Sequence, residues 1–397
     1  MRAHLLLIVA VASSCGVQFS PETLVDSLRI LAITSDPPEV APGGQTNVSV
    51  LFGDPTRVGQ VSTIIWVGCD PDPLDLNRTA CNDASILVKP SLITEYPPGL
   101  TLLGFGPKAV YTAKPGVFDI LEPENTIRQN GSIGQVMAIV IAEDVKVSAM
   151  GDELKAVFQR IENKETPTAI GLTRIVVSEK PQKNLNPTIT NLTFDGAPLP
   201  LGARLQVRPG QEVALGVEVP ESARERYTEL QPSGPVEKQE AVVGAWYSSN
   251  GRFSRERFDV TSTELTTFIA PGSTKFPEDP VPEKRSGQLW LVVRDNRGAQ
   301  AFEQFRFYVC DESLPTPKVT GVTAPTVAGD PVLVTGDDMP KVLDILIGGV
   351  ALETSTYSAV RNAFVGFPPT LAPGTYPVTM RGQNCSSVDT GLTYTVP

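Results

Sequence analysis

Histidine and cysteine, the side chains that most often act as nucleophiles, general bases or zinc ligands, are scarce in this sequence. The 397 residues include one histidine, His4, and five cysteines. His4 lies in a segment that we predict is removed on export, so the mature chain would contain no histidine. Catalysis by Ser-His-Asp or Cys-His arrangements, metal sites with histidine ligands and histidine-based pH switching are therefore not expected.

The sequence also lacks the short motifs that mark common enzyme classes. It contains no G-x-S-x-G elbow, no S-x-x-K pair, no Walker A loop and no G-x-G-x-x-G after a strand. Two carboxylates could still converge in space for glycoside hydrolysis, but no spacing indicates this. We therefore predict a protein that is not an enzyme and that uses no cofactor.

One acidic loop could bind a metal ion. Asp70, Asp72 and Asp75 supply three carboxylates within six residues. Calcium takes six to eight oxygen ligands, so this loop is a weak candidate for a calcium site. The loop does not match the D-x-[DN]-x-[DN]-G pattern, and two prolines stiffen it. A solvated acidic loop is the interpretation we favour.

Four of the cysteines are predicted to form disulfides. An even number of cysteines in an exported chain favours disulfides over metal or redox chemistry, and the C-x₂-C spacing of zinc sites is absent. Cys69 and Cys81 flank one loop, and Cys310 and Cys385 would lock the joint between the second and third domains. Four cysteines allow three pairings, so the sequence alone leaves the connectivity open.

The elements that carry these residues are predicted to be short β-strands. The 33 glycines and 36 prolines of the chain indicate many turns, and apolar and polar residues alternate in runs of five to eight. Residues 48–52 and 213–219 each follow a proline-glycine turn and place alternate apolar side chains on one face. This pattern predicts antiparallel β-sandwiches, and the length fits two or three domains.

An internal duplication supports two immunoglobulin-like domains at about 25–182 and 184–311. Each has the same order of a proline-glycine turn, a tryptophan strand and a strand beginning Gly-Gln. The first domain also contains an amphipathic segment, residues 152–161, which predicts a short accessory helix packed on the sandwich. A helix that binds a partner is the alternative.

Two sets of surface candidates have simpler explanations in such a fold. The three tryptophans fall on predicted inner strands, which favours core packing over a sugar-binding platform: Trp66, Trp246 and Trp290. The only compact basic cluster outside the signal lies beside Glu256 and Asp259 and is predicted to be a solvated strand: Arg252, Arg255 and Arg257. The formal net charge of −11 does not suit binding to nucleic acid.

Residues 316–397 resemble an IPT/TIG domain. The resemblance rests on four segments in order, residues 317–322, 328–336, 345–351 and 373–379, with residues 391–396 as the closing strand. Asp337-Asp338-Met339 departs from the family pattern at one turn. The resemblance implies an immunoglobulin-like fold of the type found in surface receptors and exported bacterial proteins.

The first sixteen residues resemble a bacterial lipoprotein signal. A short basic start and an apolar run, residues 5–12, precede Ser13-Ser14-Cys15-Gly16, although Ala12 stands where the family prefers leucine. The run is too short to span a bilayer. The resemblance implies a signal peptide at 1–14, lipid on Cys15 and a lipidated tether at 15–24. An ordinary secretory signal cut after Ala12 or Ser14 is the alternative.

These features together predict a lipid-anchored rod of three sandwiches. The layout, including residues 27–43, resembles the multi-domain surface lipoproteins of myxobacteria, which implies attachment to the outer membrane and other envelope proteins as partners. We predict a structural or protein-interaction scaffold. The alternative is a surface binding module or adhesin that contacts polysaccharide or peptidoglycan, including a role in gliding motility.

Overall fold

The chain is an all-β protein of tandem immunoglobulin-like sandwiches. The computed structural model describes residues 21–74, 99–145, 152–199, 202, 204–323 and 330–396. Their strands form two-layered groups that follow one another along the chain. No helix in these ranges is long and apolar enough to cross a membrane.

The first sandwich packs a three-stranded sheet, β1-β3-β6, against a five-stranded sheet, β2-β8-β7-β4-β5. Its core contains Trp66, Val48 and Val136, all of them fully buried. The strands are β1 (Arg29–Asp36), β2 (Glu39–Val40), β3 (Gln45–Gly53), β4 (Thr63–Cys69), β5 (Leu100–Phe105), β6 (Lys108–Thr112), β7 (Ser132–Ile141) and β8 (Thr168–Val177).

Two short helices accompany this sandwich, α1 (Thr126–Asn130) and α2 (Asp152–Glu162). Val157 of α2 is 2% exposed and belongs to an apolar cluster with Ile65 and Met137, which face away from the main core. The helix therefore covers the outer face of the five-stranded sheet, as the apolar spacing predicts. This packing supports the structural interpretation of the segment over the partner-binding one.

The second sandwich packs the sheets β10-β9-β12-β18-β16 and β11-β20-β19-β15-β17, with a separate hairpin, β13-β14. The alternate residues Val213, Leu215 and Val217 point into its core, as predicted. The strands are β9 (Asn191–Phe194), β10 (Ala197–Pro198), β11 (Leu205–Val207), β12 (Glu212–Glu218), β13 (Arg226–Gln231), β14 (Gly234–Gln239), β15 (Val242–Ser248), β16 (Arg252–Phe253), β17 (Phe258–Asp259), β18 (Thr266–Ile269), β19 (Ser286–Asp295) and β20 (Gln300–Val309).

The five-stranded sheets that contain the tryptophan strands have the same topology in the two sandwiches. In each, the tryptophan strand pairs antiparallel with the Gly-Gln strand, β4 with β7 and β15 with β19. In each, a short strand adds in parallel to the far edge, β2 to β8 and β11 to β20. The repeated sequence order thus corresponds to a repeated strand order, as a duplication predicts.

The third sandwich packs the sheets β21-β22-β26-β25 and β24-β23-β27-β28. Met339, in the turn that departs from the IPT/TIG pattern, is 1% exposed and joins the core. The strands are β21 (Lys318–Thr323), β22 (Val332–Asp337), β23 (Val342–Ile347), β24 (Val350–Ala351), β25 (Glu353–Ser358), β26 (Ala363–Phe367), β27 (Gly374–Gly382) and β28 (Ser387–Val396).

Candidate functional site

One predicted disulfide is present at the joint between the second and third sandwiches. Cys310 and Cys385 are bonded, with their Cα atoms 5.3 Å apart. Cys69 is also disulfide-bonded, and Cys81, its predicted partner, lies outside the described residues. Cys15, the predicted site of lipidation, lies outside them as well.

The acidic loop is described only in part. Asp72 accepts a hydrogen bond from the Leu74 backbone N–H at 2.9 Å, and burial raises the pKa of Asp70. Asp75 lies outside the described residues. No group of three histidine, cysteine or acidic side chains within the described ranges is arranged to hold a metal ion.

The basic cluster is divided among separate ion pairs. Arg252 lies 2.7 Å from Glu278, Arg255 pairs with Glu264, and Arg257 lies 3.7 Å from Glu22. The three guanidinium groups therefore face different partners. They do not form one positive surface for an anionic ligand.

All three tryptophans are buried, but one of them does not lie in the core of its own sandwich. Trp66 and Trp246 lie in the cores of the first and second sandwiches. Trp290 instead lies on the other face of β19, where it packs against Leu31 and Leu51 of the first sandwich. The prediction that Trp290 is a core residue of the second domain is therefore wrong in one respect, because strand alternation turns it outward into the contact between two sandwiches.

The first joint, between the first and second sandwiches, encloses a buried carboxylate. Glu39 Oε2 lies 2.9 Å from Lys180 Nζ and 3.1 Å from Arg297 Nη2, and it accepts the Asn184 backbone N–H at 2.8 Å. The Ser178 hydroxyl donates to Oε1. Every oxygen of this carboxylate is thus partnered, as a buried charge requires.

Arg297 holds carboxylates from both sandwiches. Besides Glu39, its guanidinium lies 2.8 Å from Glu240 and 3.4 Å from Glu225, and it stacks 4.6 Å from the centre of the Tyr227 ring. Removing one partner of a buried ion network costs about 3–5 kcal/mol, because the remaining charge stays buried without compensation. Arg297 is therefore the residue on which the polar half of the first joint depends.

The network contains more acid than Arg297 can neutralise. Burial and the neighbouring Asp295 together raise the pKa of Glu240 to about 7, against the opposing effect of Arg297. Burial likewise raises the pKa of Asp295, although Asn184 donates to it at 3.1 Å. The first joint therefore carries two carboxylates whose pKa values are raised, that of Glu240 to about 7.

A segment before β1 adds to the first joint by pairing with the second sandwich. The Val25 N–H donates to the Ser248 carbonyl at 2.8 Å, and the Ser248 N–H donates to the Thr23 carbonyl at 2.9 Å. β17 covers only residues 243 and 244 of this edge of β15, so the end of β15 is open to another strand. The described part of the predicted tether, residues 21–24, is thus held against a sandwich and is not a free linker.

The second joint, between the second and third sandwiches, combines the disulfide with buried polar contacts. Arg381 Nη1 donates to the Arg204 carbonyl at 2.6 Å, and the Arg204 N–H donates to Asp344 Oδ2 at 3.0 Å. Burial raises the pKa of Asp344 against the opposing effect of Arg204 and Arg381. The covalent bond between Cys310 and Cys385 lies beside these contacts, so the second joint is fixed in more than one way.

A cleft of about 800 Å³ separates the β3–β4 loop of the first sandwich from the second sandwich. Charged side chains of both signs line it, four basic and two acidic: Arg57, Arg204, Lys284, Arg306, Asp54 and Glu283. None of the four basic side chains forms an ion pair with a carboxylate of the described residues. The cleft is therefore locally positive on a chain whose net charge is −11.

Two buried polar atoms beside the cleft are unpaired. Arg57 donates from Nε to Gln60 at 2.9 Å and from Nη2 to the Val61 carbonyl at 3.3 Å, while Nη1 is buried without a partner among the described residues. Asp54 accepts from the Thr56 hydroxyl through Oδ1, and its Oδ2 is likewise unpartnered. A buried polar atom left unpaired costs about 1–3 kcal/mol, so this loop carries a local cost in stability.

Comparisons with known proteins leave the family of this chain open. No protein-family model and no curated protein matches it. Many solved structures match most of the chain at low identity, and three of them are described. SGBP-B of the Bacteroides ovatus mixed-linkage glucan utilization locus, in complex with a heptasaccharide, is 11% identical, with 94% of this chain and 70% of that chain covered and a TM-score of 0.16.

The other two are an animal protein and a bacterial one. Extracellular domains 3–5 of Drosophila OTK are 11% identical, with 93% and 96% of the two chains covered and a TM-score of 0.17. A Ca²⁺-stabilized adhesin of an Antarctic bacterium is 12% identical, with 94% and 74% covered and a TM-score of 0.19. Scores this low carry no argument about function.

The residues that organise the first joint and the cleft could not be identified from the sequence. Glu39 stands between Pro38 and Val40 in an otherwise apolar stretch, and a charge in such a place is a signal that it needs a buried partner. Arg297 lies in the turn after β19, where the Arg297 and Ala299 N–H groups both donate to Asp295 Oδ1 at 2.8 Å. A turn of this kind does not indicate which carboxylates the Arg297 side chain meets.

Proposed function

We propose that this protein is a non-enzymatic, lipid-anchored envelope protein that acts as a structural or protein-interaction scaffold at the outer membrane. The observation that carries the proposal is that both joints between sandwiches are fixed. Arg297 and Trp290 hold the first, and the Cys310–Cys385 disulfide holds the second. A scaffold needs such joints because it presents its surfaces at constant spacing.

The anchor part of the proposal rests on Cys15 and on the position of the segment that follows it. Thr23 and Val25 are held against β15. The six residue steps from Cys15 to Pro21 span at most about 20 Å when fully extended. Lipid on Cys15 would therefore keep the sandwiches close to the membrane surface. Partner envelope proteins would then meet a rigid body near the bilayer.

A second candidate function is a cell-surface binding module or adhesin. The cleft favours it, because a concave volume of about 800 Å³ lined by basic, acidic and amide side chains has the size and chemistry of a ligand site. The two functions are compatible, since one rigid body could hold both a partner surface and a ligand cleft.

Cross-linking in intact cells tests the scaffold proposal. We expect the wild-type protein to be recovered in the outer-membrane fraction with a reproducible set of cross-linked envelope proteins. A Cys15→Ser variant should leave that fraction or accumulate as precursor, and it should lose the same partners. Recovery of the Cys15→Ser variant in the membrane with its partners intact would contradict the anchor. A wild-type protein that cross-links to no envelope protein would contradict the scaffold.

A further inference from the structure

We propose that the cleft between the first and second sandwiches binds an acidic oligosaccharide, with sugar carboxylates held by Arg57 and Arg306. This inference rests on the second candidate function, whose ligand it names, and it does not depend on the scaffold role. The reasons are the local charge, the acidic side chains beside it and the mixed chemistry of the lining.

The positive charge of the cleft favours an anionic ligand. Arginines elsewhere on the second sandwich, at 252, 255 and 257, are each paired with a carboxylate. The basic side chains of the cleft lack such partners among the described residues. Positive charge concentrated in a concave surface attracts anions more strongly than the same charge on a flat surface. An arginine can also bind a carboxylate through two parallel hydrogen bonds.

The acidic side chains of the lining favour a ligand that also carries hydroxyl groups. Asp54 and Glu283 lie in the cleft beside the four basic side chains, and a carboxylate can only accept hydrogen bonds. An anion without hydroxyl groups would be attracted by the arginines and repelled by these carboxylates. A sugar acid suits both, because its carboxylate accepts from an arginine while its hydroxyl groups donate to a carboxylate.

The rest of the lining has the same mixed character. Gln60, Asn250 and Gln288 supply amide groups of both polarities, and Tyr308 and Phe52 supply ring surface. Aromatic rings beside polar groups suit a sugar ring, which has apolar C–H faces and polar edges. Nucleic acid is disfavoured, since the chain as a whole is strongly acidic.

Calorimetric titration of the full-length protein with defined trimers tests the proposal. The acidic sugars are trigalacturonate and trimannuronate, the neutral control is the methyl ester of each, and hexa-aspartate is the acidic peptide. We expect at least one sugar acid to bind at least tenfold more tightly than its methyl ester. The affinity should fall between about 0.05 M and about 0.3 M salt, because screening weakens exposed charges.

Variants locate the binding. Arg57→Gln with Arg306→Gln should weaken binding at least tenfold, and Arg57→Lys should weaken it less than Arg57→Gln. Arg361→Gln removes the same charge from an exposed turn of the third sandwich and should leave the affinity unchanged. Circular dichroism melting of each variant verifies folding.

Three outcomes would overturn the assignment: no binding of either sugar acid, equal affinity in the double variant and the wild type, or tighter binding of hexa-aspartate. Each would leave the scaffold proposal standing, because cross-linked partners in cells are measured independently.

Discussion

At the scale of single residues, the protein depends on charges brought together from distant parts of the chain. Arg297 and Glu39 are 258 positions apart, one in the turn after β19 and the other in β2. Their contact could not be predicted, because local patterns specify a turn or a strand but not which buried charge a side chain will meet. The same is true of Arg57 and Arg306 in the cleft.

The raised pKa of Glu240 predicts a pH-dependent stability. The folded pKa, about 7, lies above the ordinary value of 4.5, so the folded state binds more protons than the unfolded state between these two pH values. The contribution of Glu240 to the stability of the fold is therefore fully present below about pH 4.5 and is lost as the pH rises to about 7. Asp295 changes stability in the same direction, since its pKa is also raised.

A Glu240→Gln variant should isolate this effect, because glutamine imitates the protonated acid at every pH. We expect the variant to gain stability relative to the wild type as the pH rises from about 4.5 to about 7.5, measured by urea unfolding at several pH values. Glu353→Gln, at an exposed position of β25, is the matched control and should show no such trend. A constant difference between Glu240→Gln and the wild type across this range would contradict the proposed titration.

At the scale of strands and sheets, the sequence predicts most of what is present. Alternating apolar residues predicted which faces of β3 and β12 point into the core. The repeated tryptophan and Gly-Gln segments predicted the two sheets that share one topology. The role of Trp290 was not predictable, because both faces of β19 are apolar and alternation alone does not say which face meets a neighbouring sandwich. The pairing of residues 23–25 with β15 was missed for a similar reason, since it depends on an edge that only the folded sheet exposes.

The disulfide gives a prediction at this scale. It closes a loop with a sequence separation of 75 residues, which corresponds to about 4 kcal/mol in the chain-entropy model. A Cys310→Ser/Cys385→Ser variant should therefore lower the free energy of unfolding of the third sandwich by a few kcal/mol in urea titrations. Reducing agent is not an adequate substitute, because Cys69 is also disulfide-bonded. An unchanged unfolding midpoint would show that the polar contacts of Arg381 and Asp344 fix the second joint alone.

At the scale of the whole molecule, the predicted rod of three sandwiches did not specify how neighbouring sandwiches pack together. The first two sandwiches contact through sheet faces, with Trp290 and Val292 of β19 against Leu31 and Leu51. The hairpin β13-β14 adds a second contact, since Asn130 and Leu230 exchange hydrogen bonds of 2.8 and 2.9 Å. A sequence of regularly spaced domains favours an end-to-end array, and only the outward apolar face of β19 indicates lateral packing.

Fixed joints are the central claim, and the distance distribution between the first and third sandwiches tests it most directly. Spin labels on Lys108→Cys of β6 and Thr393→Cys of β28, both exposed, would report that distance by pulsed electron paramagnetic resonance in a chain carrying Cys15→Ser. We predict a single narrow distribution that broadens when Arg297→Ala and Cys310→Ser/Cys385→Ser are introduced. A broad or multiple distribution in the otherwise unaltered chain would contradict the account.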